Sequence, residues 1–272
     1  MIALYWAEDG RFPPGDRGLA YGDGLFETIR VDGGSAHLKA YHLDRMTRDA
    51  ARLHIPVNRS ELEHIFHQAV ERYSVHYSVD SWILKLTLTR GSGGRGYRPS
   101  PNMKPNLLVS HAAMPPLAPA SGVAVDFSRV PLTVNPLLAG IKSLNRIEQV
   151  MAASELQDGL FEVLMANPAG HIVEGTRTNL FIETDDGWRT PSPDSVAVRG
   201  VMRRYVIERL RANAEEVHEA PILLDDMLAS SCRGVYLTNS VLGVVSVRTL
   251  AGQDLPVTGR LATICGSTPK TE

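Results

Sequence analysis

The sequence predicts two α/β or α+β domains joined near residue 118. Three observations carry this. Short alternating apolar runs mix with stretches of helical period on both sides of that point. Ala112 to Ala120 reads AAMPPLAPA, and its three prolines neither donate to a sheet ladder nor continue a helix. The chain has 272 residues, which suits one large or two modest domains at roughly 100–200 residues each. The expected division is a smaller N-terminal α/β domain, 1–117, and a larger C-terminal domain, 118–272.

The elements follow in order. His37 to Leu53 reads as a helix, because Leu43, Met46, Ala50 and Leu53 make one apolar stripe. A second helix starts at Ser60, where Ser60 and Glu63 form a capping-box pattern. Trp82 to Thr89 alternates as a strand, with Trp82, Leu84, Leu86 and Leu88 on one face. Asn106 to Ser110 and Val123 to Val130 read as further strands. Leu144 to Gln157 reads as a helix. Phe161–Ala166, His171–Val173 and Asn179–Glu183 read as short strands, with turns at Asn167–Gly170 and Asp185–Gly187. Val201 to Ala212 has helical spacing, and strands Val235–Thr238 and Leu242–Val247 follow.

Composition narrows the function. A net charge of −2 gives no basic field for nucleic acid. No apolar run approaches the ~18 residues that span a bilayer. The first residues lack the basic start of a secretory leader. The two cysteines, Cys232 and Cys265, form no CxxC pair, and a reduced cytoplasmic setting is expected. Gly91 to Gly96 (GSGGRG) fits a dinucleotide fingerprint, but Tyr97, Arg98 and Pro99 follow where a helix must start. The better reading is a loop that carries Arg90, Arg95 and Tyr97 over an anionic substrate. His64 and His67 lie three apart on a helix without a third ligand, which reads as a solvated face.

Of 28 basic residues only five are lysines. Lys39, Lys85, Lys104 and Lys270 are expected in solvent. Lys142 lies in an apolar stretch, Pro136-Leu-Leu-Ala-Gly-Ile-Lys142. A desolvated lysine has a lowered pKa and serves as nucleophile and base. A lysine snorkelling at a helix start is the other reading of the same context.

Gly140-Ile-Lys-Ser-Leu-Asn-Arg146 and Val173-Glu-Gly-Thr-Arg-Thr-Asn-Leu-Phe181 resemble the signature of the fold-type IV pyridoxal-phosphate enzymes, the branched-chain and D-amino-acid aminotransferase family. Asp16 to Thr28, His42-Leu-Asp-Arg45 and Gly200-Val-Met-Arg203 match the same family in the same order. Arg90 to Tyr97, Leu138 to Val150 and Thr28 look like its lyase branch, which converts 4-amino-4-deoxychorismate to 4-aminobenzoate and pyruvate for folate synthesis. Gly175-Thr176-Arg177 is closer to the transaminase form.

The resemblance implies a two-domain enzyme with the cofactor cleft between the domains and the cofactor lysine in the C-terminal one. Lys142 would bind pyridoxal phosphate and act as the catalytic base. Glu174 would face the pyridine nitrogen. Arg45, the N–H groups of Val201 and Met202, Asn239 and Ser240 would hold the phosphate. Arg95 and Tyr97 would meet the dicarboxylate substrate, and Thr28 would give a proton to the leaving group. A cytoplasmic homodimer without nucleic-acid or membrane partners is implied. The alternatives are a transaminase acting on D-amino or branched-chain amino acids with the same Lys142 and Glu174, and a non-catalytic protein that binds an anionic ligand.

Overall fold

The computed structural model describes residues 1–77, 80–94 and 96–266, and the backbone of 270–271. The chain forms two units. The first holds Met1–Pro115, Lys142–Asn145 and the C-terminal residues; the second holds Pro116–Ile141 and Arg146–Thr268.

The first unit is a mixed sheet with helices. Its strands are β1 (Ala3–Trp6), β2 (Gly24–Asp32), β3 (Ser35–His37), β4 (Ser81–Thr89) and β5 (Asn106–Ala113). They lie in the order β1-β5-β4-β2-β3, and Lys270–Thr271 extends the β3 edge. Helices α1 (Arg17–Tyr21), α2 (Lys39–Arg52) and α3 (Arg59–Ser74) accompany it. β2 and β4 pair antiparallel along nine residues each, so the period of two sorts them into faces. Leu25, Ile29 and Val31 share the core face with Trp82, Leu84, Leu86 and Leu88. The α2 stripe of Leu43, Met46 and Ala50 is buried as the spacing requires. Phe26 and Thr28 fall on the opposite face with Lys85 and Thr87.

The second unit contains β6 (Val123–Phe127), β7 (Glu162–Ala166), β8 (Ile172–Gly175), β9 (Asn179–Thr184), β10 (Gly187–Thr190), β11 (Val217–Glu219), β12 (Cys232–Asn239), β13 (Gly243–Leu250) and β14 (Gln253–Asp254). Its helices are α4 (Ile147–Ala153), α5 (Val201–Ala212), α6 (Leu224–Leu228) and α7 (Arg260–Cys265). Strands β9-β12-β13-β6-β7-β8 are neighbours in that order, and β8 pairs back to β9 through Glu174 and Asn179, which closes the ring. Val125, Leu164, Leu180, Ile182, Val235, Leu237 and Val247 form one buried cluster of this unit.

Four expectations change. The helix expected over Leu144–Gln157 is only Ile147–Ala153. Its first residues are drawn off, Leu144 N–H to Gly24 O and the Asn145 amide to Gly22 O, both 3.0 Å. The same pairing gathers Lys142 with the first unit, whereas the sequence reading placed it in the C-terminal domain. Asn58, not Ser60, caps α3: its Oδ1 accepts from Ser60 N–H at 2.8 Å and Glu61 N–H at 3.4 Å. Lys39 is buried, its ammonium between Glu63 at 3.0 Å and His67 Nε2 at 2.9 Å. His67 itself is exposed, as a solvated face requires. Among the described residues no helix is long and apolar enough to cross a membrane, and no cluster could hold a metal ion.

Candidate active site

In the first unit the chain brings Lys142, Phe26 and Thr28 to one sheet face. Lys142 is half-buried and its Nζ lies 4.1 Å from the centre of the Phe26 ring, a cation–π distance. Its backbone is fixed at both ends: the carbonyl accepts Phe26 N–H at 3.1 Å, and the N–H donates to Asp49 Oδ2 at 3.2 Å. Asp49 is buried, and burial pushes its carboxyl up against the pull of Arg48. Thr28 is half-buried, two residues from Phe26 on the same face and directly opposite Lys85. Lys85 is exposed as expected, and its Nζ lies 5.7 Å from the same ring.

Arg45 is buried at the edge of the α2 stripe, and the sequence reading missed what holds it there. Its fork meets the Glu27 carboxylate at two points, Nε to Oε1 at 2.7 Å and Nη2 to Oε2 at 2.5 Å. His42 Nδ1 adds a contact to Oε2 at 2.6 Å. Burial alone would raise the Glu27 pKa, but Arg45 and His42 outweigh it and hold the carboxyl at about 2. Burial pushes His42 down, and Glu27 offsets only part of this. One signal was available: Glu27 falls in phase with the apolar residues Leu25 and Ile29, so strand periodicity buries it.

Arg90 is not the anion reader that its loop suggested. Its guanidinium pairs with both oxygens of Asp23, at 2.8 and 2.9 Å, and donates to the carbonyls of Leu53 and His54. Tyr97 is 86% exposed, with its ring edge toward Tyr21 at 5.5 Å. Arg95 lies outside the described residues.

In the second unit Glu174 is buried at the ring closure, not a surface carboxylate. Its Oε2 accepts Val198 N–H at 3.1 Å and Asn179 Nδ2 at 3.4 Å. Asn179 also donates to Val198 O and stands beside Gly200, where an added Cβ would meet Asn179 Oδ1 at 2.0 Å. That close approach requires glycine at the start of α5. The first turn of α5, with Val201 and Met202 buried, has no side chain as its cap. Uncapped N–H groups at a helix start favour an anion. Ser240 and Asn239 follow at the end of β12, both half-buried. The Asn239 side chain serves the turn, its Oδ1 accepting Val241 and Leu242 N–H at 3.0 and 2.7 Å.

The loop after Glu174 has an anchor that the sequence did not reveal. Glu162, fully buried, accepts from Thr176 N–H (3.1 Å), Thr176 Oγ1 (2.6 Å), Arg177 N–H (3.2 Å) and Thr178 Oγ1 (3.1 Å). Thr176 to Thr178 are thus tied inward by one carboxylate.

These residues fit pyridoxal phosphate. The second unit offers a buried carboxylate for a ring cation and a helix start for a phosphate. It also holds Thr238 Oγ1, buried without a partner among the described residues.

Comparison with known proteins agrees. Residues 24–250 match the amino-transferase class IV family. The chain is 35% identical to an aminodeoxychorismate lyase of Vibrio harveyi, over 86% of each chain. It is 26% identical to a D-alanine aminotransferase of Bacillus licheniformis, over 88% of this chain and 83% of that one. The solved structure of 4-amino-4-deoxychorismate lyase from Pseudomonas aeruginosa superposes with a TM-score of 0.84 at 33% identity, over 93% of each chain. With most of its length matched and its Lys142, Glu174 and α5 segments in family order, the chain belongs to the class IV aminotransferases, a family of pyridoxal-phosphate enzymes.

Proposed function

We propose that the chain is a pyridoxal-phosphate lyase that converts 4-amino-4-deoxychorismate to 4-aminobenzoate and pyruvate. The observation that carries this is the shared sheet face of Lys142 and Thr28, which sets an amine and a hydroxyl around Phe26. An elimination needs both, a base at one carbon and a proton donor at the leaving group.

When bound, pyridoxal phosphate supplies a carbonyl for amines and a ring that accepts electron density. Lys142 Nζ is the attachment point and takes the proton from the substrate carbon that bears nitrogen. Thr28 Oγ1 gives a proton to the departing enolpyruvyl group. Glu174 keeps the ring nitrogen protonated. The Val201 and Met202 N–H groups, Asn239 and Ser240 hold the phosphate, with Arg45 set by Glu27. Tyr97 and Arg95 serve the substrate carboxylates, and Lys85 opposite Thr28 is a further cation for them.

A homodimer is part of this reading. Ile147, Val150 and Met151 stand on one face of α4, exposed by 71%, 59% and 53%, an apolar face suited to a second copy. Two buried, unbridged cysteines fit a reducing cytoplasm.

The test is incubation with 4-amino-4-deoxychorismate and no added 2-oxo acid. Equal, continuing formation of pyruvate and 4-aminobenzoate is expected. A single turnover that stalls until a 2-oxo acid is added would make the protein a transaminase.

A further inference from the structure

Thr238 occupies an unusual place. It is 1% exposed on β12, and its hydroxyl finds no partner among the described residues. A buried hydroxyl without a bond costs stability, and valine would fill the same space without that cost. The chain nevertheless keeps a threonine there.

Its neighbours say what the hydroxyl is for. Along β12, Val235 and Leu237 turn to the apolar cluster with Leu180 and Ile182. Tyr236 and Thr238 therefore share the other face. Directly opposite Thr238 on β9 is Asn179, which holds Glu174 and abuts Gly200 at the head of α5. Opposed side chains in an antiparallel pair sit about 5 Å apart. Thr238 is thus one residue removed from the uncapped helix start, through Asn179, and the Asn239–Ser240 turn comes next in the chain. Two kinds of unmet donor, helix N–H groups and a dry O–H, thus lie on either side of Asn179. An acceptor-rich anion satisfies both. A protonated ring nitrogen does not, because it is itself a donor.

We propose that Thr238 Oγ1 donates a hydrogen bond to the cofactor phosphate, as a binding residue additional to Val201, Met202 and Ser240. This rests on the cofactor reading above. The contact exists only in the loaded protein, so loss of the hydroxyl weakens binding without weakening the empty fold.

The experiment is Thr238→Val, with Thr238→Ser as the conservative partner, in apoprotein freed of cofactor. Titration with pyridoxal phosphate, followed by absorbance, should show about tenfold weaker binding for Thr238→Val, the range for a lost hydrogen bond to a charged group. Thr238→Ser should bind as wild type does. Pyridoxal, which lacks the phosphate, should bind both variants and wild type alike. Inorganic phosphate should raise the apoprotein Tm in wild type and less in Thr238→Val. The apo Tm of Thr238→Val should equal or exceed wild type. Unchanged pyridoxal-phosphate affinity, an equal loss for pyridoxal, or a lowered apo Tm would each overturn the proposal. Wild-type protein that took up no pyridoxal phosphate would overturn the cofactor reading itself, before any substitution is made.

Discussion

Glu27 in the first unit and Glu174 in the second are both buried carboxylates, yet they are held in opposite ways. Glu27 receives a two-point guanidinium contact and an imidazole at 2.5 to 2.7 Å. Glu174 is held through neutral donors, a backbone N–H and a carboxamide, at 3.1 and 3.4 Å. Neutral donors stabilise the ionised form without cancelling its charge. Glu27 is thus a framework charge, neutralised by α2, while Glu174, whose charge also acts on Arg203, is the carboxylate proposed to face a ring nitrogen. In the proposed function the two units divide the work: one seats Lys142, the other supplies Glu174 and the start of α5.

Substitutions test this division, and the largest effect belongs to the lysine. Lys142→Ala should lower turnover about ten-thousandfold, the upper range for loss of a proton-transfer group. Borohydride reduction followed by peptide mapping should place the pyridoxyl label on Lys142 in wild type and on no residue in the variant. A label on Lys85 would move the seat along the sheet.

Next is Glu27→Gln. Arg45 would be left buried against a neutral amide, and breaking such a pair costs about 3–5 kcal/mol. The variant's Tm should fall sharply even without cofactor. A Tm like wild type would mean that Glu27 is no framework charge.

Glu174→Gln should do the reverse. The amide still accepts from Val198 and Asn179, so the apo Tm should hardly move, whereas turnover should fall about a hundredfold, as when one preorganised electrostatic contact is removed. If Tm fell and turnover did not, the roles of the two carboxylates would be exchanged.

A further effect is in pH. Glu27 has a folded pKa of about 2 against an ordinary 4.5, so its stabilisation is complete above about pH 4.5 and is lost as pH falls toward 2. The loss amounts to about 3 kcal/mol at one pKa unit per ~1.4 kcal/mol. His42 is pushed below its ordinary 6.5, so the folded state resists its protonation and stability starts to fall as pH drops below 6.5. Urea midpoints between pH 7 and 3 should therefore fall steadily in wild type, and Glu27→Gln should flatten the lower part of that slope. Parallel slopes would place the titrating carboxylate elsewhere.

What was legible in the sequence was local or carried by motif. The α2 stripe, the alternation of β4 and the limits of α5 follow from spacing over a few residues. The family was legible because the segments around Lys142 and Glu174 resemble it. What was hidden depends on distant partners. Arg45 gave no sign of Glu27, eighteen residues away on another element. Lys39 looked exposed because Glu63 and His67 come from the next helix. Glu162 reads as an ordinary strand residue until the loop of Thr176 to Thr178 folds onto it. The α4 helix was expected too long because Leu144 and Asn145 serve β2, a non-local claim that helical spacing cannot report.

That last feature also orders events during synthesis. β2 takes a hydrogen-bonded neighbour, Lys142 to Leu144, from beyond the proline-rich segment, and the β3 edge is extended by Lys270–Thr271 at the very end of the chain. A ribosome that has released only the first 115 residues has not yet made either piece. Contacts of such long sequence separation form late, since loop closure must be met before they reward it. Lys142 is therefore among the later parts of its own unit to be put in place, after the proline-rich segment has been made.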